Sequence, residues 1–139
     1  MDRGGTTPLF LHVTLCPRIQ PITCGTPLIL LARLRHPSLG FIFPLSHSVA
    51  YQPFAQALGD LTGCVREVAS VNVCGCLRDG PIPAKCRHLP LDEGDLPFAE
   101  VAAVLQAANY AGEIIVQGHG WPGDPDDFLR RSRALLPAV

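Results

Sequence analysis

Four short apolar segments alternate along this chain with four segments of helical period, and this alternation constrains the fold more than any other feature. The apolar segments predict buried strands because they are short and rich in β-branched or aromatic residues, and they cover residues 9–15, 40–43, 68–73 and 113–117. Each is followed by a predicted helix. The order β-α-β-α-β-α-β-α, with strands that read as apolar runs, is typical of a parallel sheet covered by helices.

The predicted helices have recognisable starts. Thr26 and Asp124 are capping residues that each precede a proline at the first helical position. The first helix is predicted over residues 27–35, the second begins at a proline and ends before Gly63, and the third has Asp95 as its N-cap.

Two architectures fit four βα units. They form half of a (β/α)8 barrel or a small doubly wound sheet, and periodicity does not distinguish the two. No glycine-rich phosphate loop follows a predicted strand, which disfavours a nucleotide-binding Rossmann domain. The loop after the third strand is longer than most βα loops, and such loops are commonly functional.

Composition bounds what the 139-residue chain can be. Hydrophobic residues make up 47% of it, so one domain over residues 1–139 is expected, with its core in 8–136. The formal net charge of −1 gives no basic surface for nucleic acid. No apolar run approaches the roughly 20 residues of a membrane helix, and the N-terminus makes a poor secretory signal. A cytoplasmic protein is expected, in which the six cysteines are reduced thiols or metal ligands.

Three segments resemble the C-terminal half of the xylose isomerase-like barrels, the sugar phosphate isomerase/epimerase superfamily. Residues 88–98 (HLPLDEGDLPF), followed by a helix and the turn NYAG at 109–112, are similar to the seventh loop and helix of that family. Residues 36–41 (HPSLGF) and 65–68 (VREV) resemble the segments that lead into strands six and seven. The resemblance spans residues 9–136 and implies an α/β fold of four parallel βα units, half of a (β/α)8 TIM barrel.

The resemblance also locates the positions at which the family binds its main metal, at the C-terminal ends of the strands. The glutamate of strand five aligns near His12, and the aspartate of strand six falls on Pro44. The histidine of strand seven falls on Asn72, and the glutamate of strand eight falls on Gln117. Because proline offers no ligand atom and neutral amides are weak replacements, the main metal centre is expected to be degenerate.

A further zinc site is implied by one subset of the superfamily, the endonuclease IV-like enzymes. Its ligand positions correspond to His47, Cys86 and His88, and both residue types bind zinc readily, so zinc or another divalent metal is an expected cofactor. Cys74-x-Cys76 with Cys86-x-His88 is an alternative zinc pattern. The simpler interpretation is that these are buried small residues and a loop histidine. Nuclease activity is not implied, because the chain is not basic.

His119 and Glu93 are the candidate catalytic residues. His119 follows the fourth predicted strand, where barrel sites form, and could act as an acid or base; the alternative is a loop histidine packed near Trp121. Glu93 could orient a substrate hydroxyl or could be a solvated carboxylate. The resulting hypothesis is a divergent sugar phosphate isomerase/epimerase-like protein with weak or no isomerase activity on a sugar-like ligand. The alternative is a non-catalytic ligand-binding or assembly module on the same fold.

Half a barrel has open edges, unlike a closed one. Part of its interior would also face water, and the side chains expected to be exposed there include Phe41, Phe43, Val71, Val73 and Ile115. A homodimer or pairing with another chain is therefore expected. The alternative is a monomer whose proline-rich N-terminal segment covers one edge.

Overall fold

The computed structural model describes Arg33, residues 40–77 and residues 87–136. The first predicted strand, at 9–15, lies outside the described residues, as do His12 and Cys86. The first predicted helix, at 27–35, also lies outside them except for Arg33, which is helical and exposed.

Three strands form a parallel sheet in the order of the sequence, as the alternating pattern predicts. They are β1 (Phe41–Pro44), β2 (Val68–Val73) and β3 (Glu113–Val116), and β2 lies between the other two. Phe43 and Pro44 pair with Val71 and Asn72, and Asn72 pairs with Ile115. The fold of the described residues is thus mixed α/β, with the carboxyl ends of the three strands at one edge of the sheet.

Four helices connect and follow these strands. They are α1 (Leu45–Tyr51), α2 (Phe54–Cys64), α3 (Phe98–Ala107) and α4 (Pro125–Arg133). The predicted start of α4 is confirmed, because the Asp124 carboxylate accepts a hydrogen bond from the Asp126 backbone N–H at 3.1 Å. None of the helices in the described part of the chain has the length and apolar character that a membrane span requires.

One helix was not predicted, and two helix predictions need correction. The sequence pattern did not predict α1, since three polar residues interrupt its apolar spacing; burial of Leu45 and Ala50 holds it instead. The second helix continues past Gly63 to end at Cys64. Asp95 is not the N-cap of α3, because Pro97 occupies that position and the helix starts at Phe98. The Asp95 backbone N–H donates instead to the Cys76 carbonyl at 2.7 Å. Helix α3 begins after Pro97, a residue that disfavours helical geometry at the position before it.

The expected exposure of the sheet is wrong for β1 and β2. Four of the five named side chains are at most 4% exposed, namely Phe41, Phe43, Val71 and Val73, while Ile115 is half-buried. Ile42 is buried as well, and successive strand residues point to opposite faces, so both faces of β1 are covered. The buried cluster that includes Phe41, Phe43, Val71 and Val73 also contains Leu61 of α2 and Val101 of α3.

Candidate functional site

The carboxyl edge of the sheet brings together three of the positions that the resemblance aligns with metal ligands. Pro44 is the last residue of β1 and pairs with Asn72, which in turn pairs with Ile115. Gln117 lies two residues beyond Ile115, directly after β3. Paired residues of a parallel sheet and residues two apart on one strand share a face. Pro44 and Asn72 therefore lie on one face of the sheet at its carboxyl edge, and Gln117 lies at the same edge, while His12 lies outside the described residues.

Two of these positions present buried oxygen atoms without a partner. Asn72 Oδ1 and Gln117 Oε1 are inaccessible to solvent and accept no hydrogen bond within the described part of the chain. The backbone of Gln117 is fixed, since its N–H donates to the Val73 carbonyl at 2.9 Å. A buried polar atom without a partner costs about 1–3 kcal/mol. Two such acceptors at one edge of the sheet would each be stabilised by a hydrogen-bond donor.

A row of three histidines lies at the same edge. His47 is on α1, directly after β1; His88 is in the loop after β2; His119 is in the loop after β3. The ring centroids of His47 and His88 are 5.7 Å apart, and those of His88 and His119 are 6.2 Å apart, both pairs meeting edge to face. His47 and His88 are predicted zinc ligands, whereas His119 is a predicted acid or base. The fold thus brings together residues to which the sequence assigned different roles.

His88, the central histidine, is the most constrained of the three. Its ring is half-buried, its Nδ1 is buried with no hydrogen-bond partner in the described ranges, and its backbone has a φ of +29°. Non-glycine residues at positive φ are uncommon and tend to occur at functional sites. Burial lowers the pKa of His88, and the nearby charges of His47 and His119 lower it further. The environment therefore favours a neutral imidazole, whose nitrogen lone pair is available as an acceptor or a ligand.

The loop that carries His88 is tied to the end of β2 through glycine. Gly75 and Leu89 exchange two backbone hydrogen bonds, of 2.8 and 2.9 Å. A Cβ on Gly75 would collide with the carbonyl oxygens of Pro90 and Glu93, so only glycine permits this close approach. Leu89 is thereby fixed beside the sheet edge, and its neighbour His88 with it.

A cleft of about 590 Å³ opens beside the histidine row. This is within the usual size range of small-molecule sites. The residues that line it are Arg87, His88, Leu89, Glu93, His119, Gly120, Trp121 and Pro122. Sequence reasoning did not identify Arg87 or Trp121; their only signal was adjacency to a candidate loop and to the end of a strand.

Glu93 lies in this cleft but is already paired. Its carboxylate binds Arg131 of α4 at 2.6 Å, and the same guanidinium contacts Asp92 at 2.9 Å. The hydrogen bonds that the guanidinium donates to Asp92 and then to Glu93 raise the pKa of Arg131. Exposed ion pairs of this kind contribute little to stability. Their effect is to orient the Glu93 carboxylate and to link the loop after β2 to α4.

Cys74 and Cys76 belong to the interior rather than to the cleft. Both are at most 2% exposed and pack in one cluster with Leu96. The Cys76 thiol donates to the Cys74 carbonyl at 3.3 Å, and the Cys74 N–H donates to Ser46 Oγ at 2.6 Å. The pKa of Cys74 is lowered by its hydrogen bond with Cys76. As their side chains stand, the described residues include no group of three or more His, Cys, Asp and Glu arranged to hold a metal ion.

Neither a protein-family model nor a curated protein matches this chain. The carboxyl edge of the sheet is therefore the feature from which a function can be inferred. That edge combines two buried acceptors at Asn72 and Gln117, a row of three imidazoles, and an open cleft beside them.

Proposed function

We propose that this chain is a divergent xylose isomerase-like protein, organised as the C-terminal half of a (β/α)8 barrel, which binds a sugar-like polyhydroxylated ligand at the carboxyl edge of its sheet. The sequential order of the three parallel strands supports this assignment. So does the position of Pro44, Asn72 and Gln117 at their carboxyl ends, where barrel enzymes of this kind bind their ligands.

The observation that carries the proposal is the pair of buried, unpartnered oxygens on Asn72 and Gln117. Hydroxyl groups are the donors that such acceptors require, and a polyol supplies several at short spacing. Isomerisation of a sugar needs a metal or another electrophile and groups that move protons. Pro44 provides no ligand atom and the two amides are neutral, so binding with weak or no turnover is the expected activity.

The zinc ion that the resemblance implies fits part of this edge. His47 and His88 are neighbours, and imidazole is a good zinc ligand. Cys86, the third residue of that set, lies outside the described residues. A metal bound there would polarise an oxygen of the ligand, while Asn72 and Gln117 would accept from its hydroxyls.

Calorimetric titration with a panel of aldoses, ketoses and sugar phosphates tests the binding proposal. Asn72→Leu and Gln117→Leu each remove one acceptor and should weaken binding by about 1–3 kcal/mol, or roughly 5- to 150-fold. Gln56→Leu is the matched control, because Gln56 is exposed on α2. Equal affinity in all four proteins, or no binding by the unmodified chain to any member of the panel, would refute the proposal.

An activity assay on the same sugars tests the expected degeneracy. No ketose should form from an aldose with added Mg²⁺, Mn²⁺ or Co²⁺. The triple variant Pro44→Asp, Asn72→His, Gln117→Glu returns the family's ligand types to three strand ends and should raise divalent-metal affinity. Ready turnover by the unmodified protein would contradict the interpretation of these positions.

The second candidate function, assembly, is supported by β3, which is an edge strand of the sheet that the described residues form. Its side chains are at most half-buried, and a groove of about 570 Å³ runs beside it. Apolar lining residues of the groove include Leu105, Ile114, Ile115 and Leu136. We propose that a second copy of the chain pairs with β3 across a twofold axis, because an antiparallel β3–β3 contact is self-complementary. Sedimentation at micromolar concentration should give a dimer that Ile114→Arg dissociates; a monomer at all concentrations would exclude this pairing.

A further inference from the structure

We propose that His47, His88 and His119 together bind one zinc-class transition-metal ion through three imidazole nitrogens. The assignment goes beyond the proposed function, because the ligand set that the resemblance implies has Cys86 where this one has His119. It arises from the observed contacts of His88 with both of the other rings.

The separations of the rings are close to those of a metal-bound set. Zinc–nitrogen bonds of about 2.1 Å in tetrahedral geometry place imidazole centroids roughly 5 Å apart. The observed separations are 5.7 Å for His47 and His88, and 6.2 Å for His88 and His119. The two pairs that include His88 are therefore about 0.7 and about 1.2 Å wider than the ligating distance. Binding requires the two outer rings to turn towards the metal.

His88 is the fixed member of the set. The two hydrogen bonds between Gly75 and Leu89 hold its neighbour against the sheet edge. Its buried Nδ1 has no hydrogen-bond partner in the described part of the chain, so a nitrogen atom is already desolvated there. A metal ion would compensate that desolvation, as a hydrogen bond does for other buried polar groups.

His119 is the adjustable member. It is exposed and lies between two glycines. Gly120 has a φ of +76°, and a Cβ built on it meets no atom within 4 Å, so the backbone at this point is not packed against the protein. The turn at Gly120 is therefore open, which leaves the exposed His119 side chain room to change its rotamer.

The ligand types select the class of metal. Imidazole nitrogen suits Zn²⁺, Co²⁺, Ni²⁺ and Cu²⁺, whereas Mg²⁺ and Ca²⁺ prefer oxygen ligands. Three protein ligands leave a fourth position of a tetrahedral ion open. Because His88 and His119 both line the 590 Å³ cleft, that position faces the space in which a ligand would lie.

Titration of metal-free protein with Zn²⁺ against a chromophoric chelator, and with Co²⁺ by visible absorption, tests the site. One equivalent should bind, and His47→Gln, His88→Gln and His119→Gln should each weaken binding at least roughly tenfold, the lower bound for changes at metal centres. His36→Gln and Cys86→Ser should leave the affinity unchanged. The Co²⁺ spectrum should lack the intense near-ultraviolet band of a thiolate ligand.

Three outcomes would overturn the proposal: no binding by the unmodified chain, full affinity in His119→Gln, or loss of binding in Cys86→Ser together with a thiolate band. The last would assign the metal to the set that includes Cys86. In case a variant fails to fold, NMR of the unmodified protein provides a second readout, since Zn²⁺ should shift the imidazole resonances of His47, His88 and His119 but not those of His36. Titration of the metal-free protein with sugars tests sugar binding independently of zinc. Failure of the zinc site can thus be distinguished from failure of the sugar-binding proposal.

Discussion

The loops after β2 and β3 each deliver one histidine to the same place, yet they are built very differently. The loop after β2 is anchored at Gly75 through two backbone hydrogen bonds and at Arg131 through two carboxylates. The loop after β3 contains exposed His119 and Gly120, and one backbone hydrogen bond, from Trp121 to Gly118, spans it at 3.2 Å. The fold therefore positions the side chain of His88, whereas the side chain of His119 has room to adjust.

The largest expected effect comes from adding one methyl group to a glycine of each loop. Gly94 has a φ of +83°, and its Cβ would collide with the backbone carbonyl of Cys76. Gly94→Ala should therefore destabilise the protein by about 2–5 kcal/mol, from left-handed strain and overpacking together. Gly120→Ala has the strain without the collision and should cost only about 1–2 kcal/mol. Urea denaturation of the two variants measures the difference in their free energies of unfolding. Equal losses of stability would contradict the difference in packing between the two loops.

A smaller effect is expected from releasing the anchor on α4. Arg131→Gln removes the ion pairs with Asp92 and Glu93, so the loop after β2 should open more often. Hydrogen exchange of the Leu89 amide should then accelerate, while that of the Trp121 amide should not change. Arg130→Gln is the matched control, because Arg130 pairs with Asp127 on its own helix. Unchanged exchange at Leu89 would mean that the Gly75 pairing alone fixes this loop.

The smallest effect concerns pH, at the turn that leads into β3. Burial, followed by the nearby charge of Glu113, raises the pKa of Tyr110 to about 12. Because the folded-state pKa exceeds the unfolded value of about 10, the folded state holds the proton more tightly. This contribution to stability is complete below about pH 10 and is lost as the pH rises through about 12. Unfolding free energies measured across that window should fall with pH, and Tyr110→Phe should flatten the slope. The same slope in both proteins would show that Tyr110 is not its source.

The sequence predicted those parts of the fold that are encoded locally. Three valines and an alanine among the six residues of β2 make a short, mainly apolar and β-branched segment, and Asp124 with Pro125 defines the start of α4; both predictions are confirmed. The cap assigned to Asp95 was wrong because a tertiary contact, from its N–H to the Cys76 carbonyl, keeps Asp95 in the preceding loop and α3 begins only at Phe98. Helix α1 escaped prediction for a related reason, since burial of Leu45 outweighs the polar residues that follow it.

The candidate site could be predicted only in part. Asn72 and Gln117 were located through the resemblance, which places them at strand ends, and the carboxyl ends of parallel strands lie at one edge. The meeting of His88 with His119 could not be predicted, because loop residues have no periodicity that reports where a side chain points. Neither could the partner of Glu93, since Arg131 is 38 residues further along the chain and only the packing of α4 brings the two together.

The mutual hydrogen bonds of Gly75 and Leu89 have a consequence for how this protein can vary. The chain leaves the sheet near Gly75, and Leu89 returns to form hydrogen bonds with the same residue. The position of His88 therefore depends on this pairing and only weakly on the number of residues between Gly75 and Leu89. Loop closure becomes harder only slowly as a loop lengthens. Residues can therefore be gained or lost in this stretch over evolutionary time, or inserted in the laboratory as a tag or a probe, while the histidine stays at the mouth of the cleft.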